Sequence, residues 1–149
     1  MDGTVEKIFI APAAGATMQA VEEVEALAGS GLRRDRYSQQ AGHWDDQCQV
    51  TLIEAEDLEA IIRQTKIGVG NGEHRRNLVT RGVRFGNLEG KRFCAGAALL
   101  EFEGPRPPCS YLQTVTEKGM TKALLGRAGV CARVIESGLI RVNDSIIVL

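Results

Sequence analysis

The chain reads as mainly β with peripheral helices, an α+β protein whose strands close fully or partly into a barrel or pack as a sandwich. Three observations carry this reading. Short β-branched or alternating runs recur along the whole chain, glycine, asparagine and proline punctuate them, and only one stretch has an unambiguous helical stripe.

In chain order, "TVEKIFIAP" alternates and stops at a proline, as a strand does. "QAVEEVEALAGSGL" spaces Val21, Val24 and Leu27 three apart before a Gly-Ser-Gly turn, so periodicity leaves helix and strand both open. "QVTLI" is a β-branched strand, and the clear helix follows from Glu54 to Thr65. In that helix Leu58, Ile61 and Ile62 make the apolar stripe, Glu54, Glu56 and Asp57 favour the positive N-terminal end, and Gly68 lies beyond the finish. "GVGNGEHRRN" is a loop, and "NLVTRGVRF" and "RFCAGAALLEFEG" return to strand. "MTKALLGRAG" makes a short helix ending at glycine; "VCARVIESGLIRVNDSIIVL" then reads as three strands separated by Ser-Gly and Asn-Asp turns.

At 149 residues the expected organisation is a single domain, 1–149, with a core of its own. Eighteen basic and 19 acidic side chains give a net charge of −1 without long runs of either sign, which argues against nucleic acid or an acidic membrane as the main partner. No run approaches the roughly 20 apolar residues of a membrane helix, and "MDGTVEKIFIAP" lacks the features of a secretory leader. The expected location is the cytoplasm.

Cys48, Cys94, Cys109 and Cys131 are widely spaced with no C-x-x-C pair, and His43 and His74 are the only histidines, so neither a zinc knuckle nor a dithiol-redox motif is present. Two disulfides are arithmetically possible but not expected in such a chain. Cys48, Cys94 and Cys131 lie in strand-like runs, where a thiol acts as a small hydrophobe. Cys109 differs. In "GPRPPCSYL" two prolines stiffen the chain immediately before it, presenting the thiol beside Arg106. Nearby positive charge favours the thiolate, a soft metal ligand and a carrier of persulfide sulfur.

Arginines recur beside glycine-rich turns: Arg33, Arg34 and Arg36 in "GLRRDRY", Arg75 and Arg76 in "GEHRRN", and Arg106. Guanidinium groups bind phosphate or carboxylate bidentately, so the three clusters could line one anion pocket. The plainer alternative is solvated surface, or pairing with Asp35, Glu73 and Glu103. "HWDDQ" lacks a recognised metal-ligand spacing and reads as a polar loop. No nucleophile elbow, phosphate loop or dinucleotide fingerprint occurs.

The order "GLRRDRY", "GEHRRNLVTRGVRFGNLEGKRFCAGAALLEFEGPRPPCSYL" and "GRAGVCARVIESGLIRVNDSIIVL" resembles a MOSC domain, the module named for the carboxy-terminal part of molybdenum cofactor sulfurase. The resemblance implies a barrel-like β fold with a few peripheral helices. It implies that Cys109 is the family's sulfur carrier or molybdenum ligand, that Arg76 and Asn77 are its "RRN" element, and that Asp35 and Arg36 belong to its "GDR" element. Arg34 stands where that element has glycine, which questions the local turn, because arginine accepts a positive φ less readily. Asp35, Arg36, Arg76, Asn77 and Arg106 are thus the candidate cofactor-binding residues, and molybdopterin the candidate cofactor; pyridoxal phosphate enters by family association alone.

Two function classes follow. One is a molybdenum-cofactor protein or enzyme component with Cys109 as metal ligand, acting by reduction or oxo transfer on N-hydroxylated or related small molecules and served by a redox partner protein. The other is a sulfur carrier that receives persulfide from a donor such as a cysteine desulfurase. A binding protein without turnover is the third reading. A solitary domain of this kind lacks the amino-terminal companion of some cofactor-binding members, so it is expected to hold the pterin less fully or to complete the pocket with another chain.

Overall fold

The computed structural model describes residues 2–13, 15–38, 48–106, 116 and 119–149. Its centre is a ring of seven strands. β1 (Asp2–Ile10) pairs with a strand from the end of the chain, β11 (Ser145–Val148), and this contact closes the barrel. From β11 the ring runs through β7 (Arg92–Ala95), β8 (Ala98–Pro105), β9 (Val130–Glu136), β5 (Val50–Glu54) and β6 (Leu78–Arg81) back to β1. Closure leaves none of the seven with an open edge inside the ring, the usual solution to unpaired strand edges.

Every pair in the ring is antiparallel except β5–β6, and that parallel pair is joined by the long crossover a parallel connection needs. The crossover contains α1 (Ala55–Thr65), one residue shorter at its start than the sequence reading, with Glu54 as N-cap. Leu58 and Ile61 of α1 are buried, whereas Ile62 is half exposed, so the stripe is narrower than expected. β5 is buried along its whole length: Val50 and Leu52 point into the barrel, and Ile53 joins a second core beneath α1. Leu78, Phe93, Leu100 and Ala132 fill the barrel; Phe9, Val79, Met120 and Leu124 fill the second core.

The ambiguous stretch is strand. β2 (Gln19–Val21) pairs with β1, and β3 (Glu23–Leu27) alternates exposed glutamates with buried Val24 and Ala26, a period of two that only a sheet produces. β3 lies in a separate three-stranded sheet between β4 (Gly31–Leu32) and β10 (Gly138–Arg141). The three terminal strands exist as read, yet β9 and β10 do not form a hairpin, because β10 leaves the barrel to pair with β3. Gly138 permits that departure: a Cβ there would overlap the Ala97 carbonyl. The short helix is α2 (Met120–Ala123). No helix among the described residues is long and apolar enough to cross a membrane.

The cysteines require one correction. Cys48 and Cys131 are joined by a disulfide, with Cα atoms 5.7 Å apart. Cys48 lies just before β5 and Cys131 is the second residue of β9; pairing of these strands sets Cys131 opposite Thr51 and so brings the two thiols together. Spacing along the chain gave no sign of this, because the contact is made by pairing of β5 with β9, across 83 residues. Cys94 is a strand residue, in β7, as read.

Candidate functional site

The three arginine-bearing segments meet at one end of the barrel. The first is the turn after β4. Arg34 adopts φ +68°, the left-handed conformation its glycine counterpart would take freely, and the next two residues point inward. Asp35 is fully buried: Oδ1 accepts from the Ala11 amide at 3.0 Å and from Arg36 Nη1 at 3.2 Å. Arg36 is also buried. Its Nη2 donates to the Arg75 carbonyl at 2.9 Å and to the Tyr37 hydroxyl at 3.3 Å, and its guanidinium lies over the Tyr37 ring, 4.4 Å from the centroid.

The second segment is the loop from Asn71 into β6. Arg75 takes φ +62° and donates from Nη1 to the Ala16 carbonyl at 2.7 Å. Arg76 is buried, with Nε donating to the Ala128 carbonyl at 2.6 Å and Nη2 to the Arg106 carbonyl at 3.1 Å. Asn77, fully buried, accepts at Oδ1 from the Thr51 amide and hydroxyl, each at 3.0 Å, and donates from Nδ2 to the Phe9 carbonyl at 3.1 Å. It thereby ties β1, β5 and the start of β6 together.

The third segment is the end of β8. Arg106 donates its amide to the Gly129 carbonyl at 2.9 Å, its Nη2 to the Tyr37 hydroxyl at 3.3 Å, and places its guanidinium 5.8 Å from the Tyr37 ring centre. Tyr37 therefore stands between Arg36 and Arg106. Among the described residues this junction gathers the guanidinium groups of Arg36, Arg75, Arg76 and Arg106 with one carboxylate in contact, Asp35. The sequence-predicted residues Asp35, Arg36, Arg76, Asn77 and Arg106 all belong to it. Cys109 and "HWDDQ" lie outside the described residues.

Among the described residues, two cavities flank the junction. One of about 320 Å³ is lined by Met18, Asn71, Gly72, Arg75, Thr116 and Met120. The other, about 330 Å³, is lined by Glu54, Asp57, Phe85, Arg106, Arg127 and Gly129 among others. Burial raises the carboxyl pKa of both Glu54 and Asp57. Arg33 and Arg34 line a separate cavity of about 560 Å³ between β2 and β3. Among the described residues no three His, Cys, Asp or Glu side chains come together as metal ligands.

Sequence reasoning missed three contributors. Tyr37 stood at the end of "GLRRDRY" but carried no signal beyond its aromatic ring. The carbonyls of Ala128 and Gly129 have no signature in side-chain pattern. His74 is the third: it is fully buried, its Nδ1 accepts from the Arg76 amide at 2.9 Å, and the proton therefore belongs to Nε2. The ring meets Phe9 edge-on at 5.4 Å.

Burial first, then the Arg76 and Lys7 charges, push the His74 pKa down to about 3 from 6.5. The folded protein keeps His74 neutral where the unfolded chain takes a proton, so this contribution to stability is intact above pH 6.5 and is lost as pH falls toward 3. Glu54 and Asp57, with raised pKa values, act in the opposite sense: their contribution is full below the unfolded carboxyl pKa and is lost as pH rises. Comparison with His74→Gln isolates the histidine. Between pH 6.5 and 5 the parent is expected to lose about 1.6 kcal/mol more than the variant in denaturant titrations, the slope rising from about 0.7 toward 1.4 kcal/mol per pH unit across that window. Parallel stability–pH curves would contradict the assignment.

Comparison with known proteins gives a consistent picture. The family model for the MOSC domain matches residues 39–147. No curated protein sequence matches the chain. Among solved structures, the YuaD protein from Bacillus subtilis superposes with a TM-score of 0.77 at 19% identity, over 99% of this chain and 96% of that one. YiiM from Geobacillus stearothermophilus gives 0.75 at 16% identity over 99% and 75%, and YiiM from Escherichia coli gives 0.71 at 21% identity over 100% and 70%. At these identities the likeness is one of fold.

Proposed function

Because the chain belongs to the MOSC domain family, we propose that its junction of arginines binds the molybdenum cofactor and that Cys109 supplies a thiolate ligand to the metal. One observation supports this above all: three arginine-bearing segments, far apart in sequence, meet through side-chain contacts, Arg36 and Arg106 on Tyr37, Arg36 on the Arg75 carbonyl and Arg76 on the Arg106 carbonyl, and Cys109 follows Arg106 by three residues.

The residues present fit the anionic end of such a group. Guanidinium groups match phosphate oxygens in charge and geometry, and a partly enclosed setting strengthens that match. In this reading Asp35 and Asn77 fix the frame, Arg36 and Arg76 shape the floor through the carbonyls they hold, and Arg106, half-buried, is the cation nearest the cysteine in sequence. Bound there, the cofactor would supply a redox-active metal centre suited to reductive or oxo-transfer chemistry on N-hydroxylated or related small molecules. The chain's own part is to bind the anion, orient it and present a soft ligand.

Pyrophosphate binding followed by calorimetry tests the anion half of this proposal. Arg106→Gln removes a charge while the backbone bond to Gly129 remains, so the fold is expected to survive and binding to weaken by about 1.5 to 3 kcal/mol. Arg33→Ala, an exposed arginine of the other face, is expected to change little. Equal affinity in parent and Arg106→Gln would return Arg106 to a packing role.

A further inference from the structure

The disulfide does not lie at random in the barrel. Cys131 is opposite Thr51 in the β5–β9 register and opposite Gly104 in the β8–β9 register. Thr51 is the residue that holds Asn77, and Gly104 lies two residues before Arg106. In the segment leading into β9, just before Cys131, lie Ala128 and Gly129, whose carbonyls hold the Arg76 guanidinium and the Arg106 amide. At the other end of the bond, Cys48 is buried and is followed by Gln49, whose Oε1 accepts the Val134 amide at 2.9 Å. The bond thus ties the chain leading into β5 to β9, just after the segment that carries the arginine junction. Cys131 is half-buried whereas Cys48 is buried, so Cys131 is the more exposed end of the bond and the side from which exchange would begin.

We propose that the Cys48–Cys131 pair is a redox modification site: exchange with a small dithiol opens it, and opening loosens the hold of the segment leading into β9 on Arg76 and Arg106. The reaction balances through a mixed disulfide. A dithiol thiolate attacks one sulfur and displaces the other cysteine as thiolate; the second thiol of the reductant then closes its own ring, releasing the first cysteine. Two electrons and two protons pass from the dithiol to the protein, which ends with two thiols, and the reductant ends as a cyclic disulfide. In the oxidised form the bond and the β5–β9 hydrogen bonds act together; in the reduced form the hydrogen bonds act alone.

The test uses the whole chain equilibrated over a range of ratios of reduced to oxidised dithiothreitol. Acid trapping, alkylation and peptide mass give the fraction of the 48–131 bond, and amide hydrogen exchange at Arg106 and Cys131 gives the local opening. The expected result is that exchange at both amides speeds by about tenfold or more in step with loss of the bond, a change of about 1.4 kcal/mol in local stability. A Cys48→Ala/Cys131→Ala chain is expected to show the fast exchange at every ratio. Absence of the bond under oxidising conditions overturns the proposal. So does exchange at Arg106 that is the same with the bond open and closed, because the disulfide is then a staple without influence on the junction. Pyrophosphate affinity, measured in both forms, is expected to fall several-fold on reduction. That one readout rests on the cofactor reading; if neither form binds pyrophosphate, the cofactor reading fails while hydrogen exchange still decides the redox site.

Discussion

Cys131→Ser is expected to lower unfolding free energy by about 4.5 kcal/mol under oxidising conditions, whereas Cys109→Ser is expected to leave the parental melting curve nearly unchanged. The bond between Cys48 and Cys131 closes a span of 83 residues, and restricting so long a loop in the unfolded chain has an effect of about that size. Cys48→Ser should match Cys131→Ser, since either change abolishes the same bond. Reductant supplies an internal check, because it should bring the parent down to the variants and leave them unaffected. Denaturant titrations with and without reductant read all of these. If Cys131→Ser is as stable as the parent in oxidising buffer, the Cys48–Cys131 bond makes no contribution to stability.

Asn77→Ala is expected to cost about 3 kcal/mol. The side chain is fully buried and satisfies the Thr51 amide, the Thr51 hydroxyl and the Phe9 carbonyl at once. Alanine strands the Thr51 amide and the Phe9 carbonyl where water has no access, each worth about 1 to 3 kcal/mol, while the Thr51 hydroxyl keeps the residue-77 backbone amide as a donor at 2.9 Å. Because these groups lie on β1 and β5, the damage should appear as loss of global stability and of exchange protection in both strands. A loss below about 1 kcal/mol would show that the network is dispensable.

The strands could be located only in part, and their order not at all, for physical reasons. β5, β6, β7, β8, β9 and β11 announced themselves because each is short, β-branched or alternating, and bounded by turn residues. β3 did not, because Val21, Val24 and Leu27 satisfy a helical spacing as well as a strand one; only pairing with β10 decides between them. That pairing spans most of the chain and has no local signal. The disulfide was hidden for the same reason: the thiols are adjacent only after β5 and β9 pair.

The candidate site shows the same division. Arginine clustering was visible in the sequence, and its convergence on one place was open to two readings. Its convergence depends on Tyr37 and on backbone carbonyls at Arg75, Ala128 and Arg106, which no side-chain pattern encodes. The positive φ at Arg34 was foreseeable, because the family element has glycine there, and the chain accepts the arginine in that conformation. The burial of Arg36 and Arg76 was not, since arginines beside glycine-rich turns look like surface groups. Their burial changes what mutation of them means: an alanine at either position strands carbonyls and weakens the fold together with any binding.

The most direct measurement is metal and pterin analysis of the parent and Cys109→Ser, both purified from a host able to make molybdenum cofactor, with folding checked by the melting curves above. The parent is expected to carry stoichiometric molybdenum and pterin, and the folded variant to lose most of the molybdenum. Cyanide-releasable sulfur on Cys109 without molybdenum, or full molybdenum in Cys109→Ser, would contradict this expectation.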